Sequence, residues 1–126
     1  MAEAGDLDRL QKALEATKDH LAPDVGLRFR AMFGGRGAYA YDRMFASLFD
    51  GGLAVKLSPG MQATALALPG ARRLQYAEDQ PVSKDKVVLP AAVVDNPAAL
   101  AGWVQHSIEF TVAQPETKWR KAKTRA

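Results

Sequence analysis

Residues 30–56 read RAMFGGRGAYAYDRMFASLFDGGLAVK, and the punctuation of this stretch decides the fold. Leading into it, Leu27, Phe29, Ala31 and Phe33 alternate with Arg28, Arg30 and Met32. That is the period of a half-buried strand. The cluster Gly34-Gly35-Arg36-Gly37 reads as a turn or bulge, where glycine tolerates positive φ. Ala38 to Tyr41 then forms a second strand, Asp42-Arg43 a two-residue connection, and Met44 to Phe49 a third strand. Asp50-Gly51 is a strong hairpin signal, because both central residues of a type I′ turn need positive φ. Leu53, Val55 and Leu57 alternate with Ala54 and Lys56 in a fourth strand. The expectation is an antiparallel meander.

Helices flank it. Leu7, Leu10, Leu14, Thr17 and Leu21 recur at spacings of three and four, giving one apolar stripe with Asp6 as N-cap and Pro23 as terminator. Such a helix cannot bury its stripe alone and requires a flat partner. Ser58-Pro59 opens a second helix, which Pro69-Gly70 closes. The signal is weaker from Ala71 to Leu89, where Arg72 to Tyr76 and Lys86 to Leu89 are expected as two further strands. In the last helix Asn96 is the cap, and Leu100, Trp103, Val104, Ser107, Ile108 and Thr111 share a face, with Trp103 expected in the core. The fold class predicted is α+β: a two-layer arrangement of an antiparallel meander against N-terminal, middle and C-terminal helices.

The chain has 126 residues, enough for one domain, which is expected over residues 1–115. It contains no cysteine, which excludes disulfides, thiolate catalysis and thiolate-bound zinc. The acidic start lacks the regions of a signal peptide, and no apolar run approaches a membrane span, so a cytoplasmic protein with no membrane partner is expected. The formal charge is +3, but Glu116 to Ala126 alone carries +4 and leaves the rest at about −1. Residues 116–126 are expected to be a basic, disordered tail. Its cations Lys118, Arg120, Lys121, Lys123 and Arg125, with Trp119 among them, are the candidate nucleic-acid contacts. Arg28, Arg30 and Arg36 extend a basic patch if they share one sheet face.

Catalytic and metal readings find little to stand on. The glycine cluster lies between two strands, whereas phosphate-cradling loops lead from a strand into a helix. His20 and His106 lack further ligands at helical spacing, and Glu109 pairs with His106 most simply as a solvent-facing contact. Ser58 and Ser107 have structural readings, and no serine, histidine and acid form a recognisable set. Asp6/Asp8 and Glu78/Asp79 read as solvated surface. No cofactor is expected.

Met32-Phe33-Gly34-Gly35 with Gly37 and Tyr39, Met44-Phe45-Ala46, and Asp50-Gly51-Gly52-Leu53 with Lys56 resemble the N-terminal domain of the TfoX (Sxy) competence-regulator family. Pro90, then Asp95-Asn96-Pro97, Leu100 and Trp103 continue the resemblance. Within that motif Phe33, Gly34, Gly35, Gly37, Asp50 and Gly51 are read as structural turn residues. The resemblance implies a bacterial protein with the same two-layer fold, standing alone. It is expected to lack the second domain, similar to helix-hairpin-helix modules, of the longer members required for natural competence. It carries over no catalytic residue. The function expected is therefore a non-enzymatic interaction domain in transcriptional or competence-type regulation, acting through a protein partner, with exposed strand edges able to pair two copies as a homodimer. One alternative is weak, sequence-blind nucleic-acid binding through the tail. Another is a small-ligand binder or enzyme, which needs an apolar pocket between helices and sheet with convergent polar groups.

Overall fold

The computed structural model describes residues 2–32, 34–49, 52–75, 79 and 81–114, residues 2–6 and Met32 through their backbone alone. Helix α1 (Ala2–Glu15) runs into a 3-10 turn, Ala16–His20. Strands β1 (Arg28–Met32), β2 (Gly35–Ala40), β3 (Arg43–Phe49) and β4 (Gly52–Lys56) follow. Then come α2 (Pro59–Leu66), β5 (Arg72–Arg73), β6 (Lys86–Val88), α3 (Ala91–Val94) and α4 (Pro97–Ala113). All six strands join one antiparallel sheet in the order β1-β2-β3-β4-β6-β5. The fold is α+β, with the expected meander supplying four neighbouring strands.

The helices lie on one side of that sheet. Leu7, Leu10 and Leu14 of α1 and Leu100, Val104 and Ile108 of α4 pack in a single cluster with Phe45, Leu48, Leu53, Val55 and Val87. The space between the layers is filled, since Leu14, Phe45, Leu53, Val55, Leu100 and Val104 are all fully buried. Burial of side chains this size stabilises by roughly 1.5–3 kcal/mol each, which is why the helices need the sheet. Two polar devices hold the layers in place. Arg36 on β2 donates to Asp8 and Gln11 of α1, each at 2.8 Å. Arg43 on β3 donates to the carbonyls of Thr111 at 2.8 Å and Gln114 at 2.6 Å, sharing the former with the Gln114 amide and placing a cation at the C-terminal end of α4.

Several local expectations need correction. Asp6 lies inside α1, because Ala2, Glu3 and Ala4 are good helix formers and extend the helix upstream of it. Only Gly34 (φ +79) belongs to the first turn; Gly35, Arg36 and Gly37 are in β2. The two-residue connection between β2 and β3 is Tyr41-Asp42, with φ of 53 and 64, one position earlier than expected. It is a turn of positive φ built without glycine. β5 is reduced to two residues and α3 was not foreseen. Asn96 does cap α4, its side chain accepting from the Ala99 amide at 3.3 Å. Trp103 is half-buried, packed against the margin of the core and not within it.

Candidate functional site

Side chains alternate across a strand, so every residue opposite the helix-facing set points to a sheet face that no helix of the described residues covers. That face carries Arg28 and Arg30 from β1, Tyr39 from β2, Met44 and Ser47 from β3, Lys56 from β4 and Lys86 from β6. The register sets them in order. Arg28 pairs with Tyr39 and Tyr39 with Met44 on one half of the sheet, and Lys56 pairs with Lys86 on the other. Beside these pairs runs a row of small floor residues: Arg30 opposite Gly37, Gly37 opposite Ser47, Ser47 opposite Ala54. Within this frame the Arg30 guanidinium lies over the Tyr39 ring, 5.8 Å from its centroid. The Lys86 ammonium donates to Ser47 Oγ at 3.1 Å. Toward the β5 edge a small cluster of Ala54, Leu74 and Val88, with Phe49 against it, closes the face.

The electrostatics of the patch are cationic and partly dehydrated. Lys86 titrates below the usual lysine range, first because burial disfavours its charged form and second because Lys56 lies beside it; Asp85 works in the opposite direction. The lowered folded-state value means that the unfolded chain binds more protons as pH rises toward 10.5, so the native state gains stability over that interval. Unfolding free energies at neutral and at strongly alkaline pH should therefore rise in the native chain relative to Lys86→Met. Parallel pH dependences for the two proteins would show that Lys86 carries no desolvation cost. Arg28 forms an ion pair with Asp42 at 3.2 Å, but both side chains are largely exposed and the pair leaves Arg28 available at little cost.

The predicted site residues separate clearly. Arg28 and Arg30 share the helix-free face, while Arg36 points to the helices and is held by Asp8, so the three do not form one patch. Phe33, Asp50, Gly51 and the tail residues Lys118, Trp119, Arg120, Lys121, Lys123 and Arg125 lie outside the described residues. Phe49 and Gly52 pair across the position of Asp50-Gly51, as a two-residue hairpin connection requires. His106 does not pair with Glu109: its Nε2 lies 3.1 Å from Ser58 Oγ, its ring stacks on Phe110, and Glu109 accepts from Gln105. Ser58, expected to cap α2, thus gives its side chain to His106 instead. No acid completes this pair among the described residues, and none of their acidic and histidine side chains group as metal ligands.

An open apolar groove of about 330 Å³ lies elsewhere, between the segment Leu21 to Val25, Tyr41 and the end of α4. Its polar rim is already engaged: Tyr41 donates to Asp24 at 3.1 Å and Gln105 to Glu109 at 3.2 Å. It is not the apolar pocket between helices and sheet, with convergent polar groups, that a small-ligand site needs. No helix of the described residues is long and apolar enough to cross a membrane.

Fold and face together define a two-layer domain with helices on one side and a basic, aromatic-bearing sheet surface on the other. The family model of the TfoX N-terminal domain matches residues 19–111. The chain belongs to that family. A comparison with curated proteins gives no match.

Proposed function

We propose that this chain is a non-enzymatic regulatory module of TfoX type, acting in the cytoplasm by contact, with the helix-free sheet face as its contact surface. Family membership supports the regulatory part of this reading. The face itself supports the rest. Residues 1–115 carry a net charge of about −1, yet Arg28, Arg30, Lys56 and Lys86 from three strands gather on one side of the sheet. That gathering is the single observation that carries the proposal. Antiparallel sheets commonly leave one face to water, but such a face is ordinarily a mixture of signs. Partially dehydrating Lys86 beside a second cation costs free energy that an ordinary solvated face has no reason to bear.

The test is made in the organism that encodes the chain. Deleting the gene should change a defined set of transcripts, and the native chain should restore them. A folded Arg30→Glu/Lys56→Glu variant should fail to restore them. Restoration by that variant would remove the sheet face from the reading, and an unchanged transcript set on deletion would remove the regulatory role.

A further inference from the structure

Resting on that reading of the sheet face, we infer that its ligand is single-stranded nucleic acid, lying across the strands over Arg30, Tyr39, Ser47, Lys56 and Lys86. Three features of the face select this ligand. The cations are spread along a line, not concentrated at a point: Arg28 and Arg30 stand on β1, and Lys56 and Lys86 on β4 and β6. Four interstrand spacings separate β1 from β6, a span of about 19 Å. A phosphate backbone of about four nucleotides matches a line of that length. A compact anion would satisfy one end of it alone.

Flat groups accompany the charges. The Arg30 guanidinium lies over the Tyr39 ring, so a planar cation backed by an aromatic sits at the β1 end. Bases stack on such planes without regard to sequence. Between the two groups of cations lie Gly37 and Ser47, small residues buried beneath their neighbours that add no bulk of their own to the surface. Shape then disfavours reading of a duplex through its major groove. A six-stranded sheet is too broad to enter a major groove that admits one helix or a two-stranded ribbon. A separated strand can lie along the face with its bases turned down onto it. Asp42 beside Arg28 and Asp85 beside Lys86 reduce the field at the two ends, so the affinity expected is modest.

The experiment is an anisotropy titration of a labelled oligothymidylate of about 12 nucleotides with the full chain, between about 50 and 200 mM salt. The native chain should bind with strong salt dependence and should bind duplex DNA of the same length more weakly. Arg30→Glu/Lys56→Glu should weaken binding about tenfold or more and lower the salt slope by about 1.4. Arg30→Lys keeps the charge and removes the plane, and should cost about fivefold with the slope unchanged. Replacing Lys118, Arg120, Lys121, Lys123 and Arg125 by serine should leave most of the binding in place.

Loss of binding in that tail variant alone would overturn the inference, as would equal affinity for duplex. Absence of binding by the native chain would overturn it too. In that case restoration of transcripts by the native chain and not by the face variant would keep the sheet face as the contact surface for another partner.

Discussion

Phe45→Ala is expected to cost about 3–5 kcal/mol. Phe45 is fully buried and is the bulkiest of the completely enclosed side chains. It sits on β3 at the irregularity opposite Ala38/Tyr39, and its carbonyl accepts from Ser107 of α4 at 3.0 Å. Removing the ring opens a cavity where sheet and α4 meet, and the surrounding Leu and Val side chains belong to a filled core that can collapse only partly. A thermal midpoint lowered by roughly 10–20 °C, read by circular dichroism, is the corresponding signal. A loss below about 1 kcal/mol would show that the side chain is not held between the layers.

The second large effect separates two neighbouring glycines. A Cβ placed on Gly35 would collide with the carbonyl oxygen of Leu48, and the obstacle is backbone that cannot rotate away. Gly35→Ala should therefore push β2 from β3 and cost about 2–3 kcal/mol. Gly34 has φ +79 and open space around it, so Gly34→Ala should cost only the left-handed penalty of about 1 kcal/mol. Urea unfolding of the two variants gives the order directly. The reverse order would mean that the turn conformation, and not close strand approach, governs this cluster.

That pair shows where the sequence was legible and where it was not. Glycines announce that a side chain is unwelcome, but they do not say whether dihedral or distance is the reason. At Gly34 it is dihedral; at Gly35 it is Leu48. The meander was readable because strict alternation and the Asp50-Gly51 signal are local. The turn at Tyr41-Asp42 was misplaced by one position because Asp42 advertises positive φ but Tyr41 does not, and Tyr41 is held there with its hydroxyl on Asp24. β5 and β6 were faint because strands of two and three residues exist only through their partners.

The candidate surface was half visible for the same reason. Arg28 and Arg30 sit on a plainly alternating strand, and their common face follows from the period. Lys56 and Lys86 are neighbours only because β6 pairs with β4 in a particular register, which no local pattern encodes. The side taken by Arg36 could not be counted, because its strand was read as a turn or bulge. The contact between Ser58 and His106 spans 48 positions and was equally invisible.

The irregularity on β3 has one more consequence. Phe45 and Ala46 are adjacent, yet both belong to the helix-side core. An uninterrupted strand would have sent one of them to each face. By slipping one residue against β2, the chain changes parity midway: Leu48 and Ala46 keep one count, while Met44 and Tyr39 keep the other. The two halves of β3 are thereby uncoupled. The half toward Phe49 sets Ala46 and Leu48 beneath the helices, and the half toward Arg43 sets Phe45 and Arg43 there instead, against α4, with Met44 turned to the opposite surface.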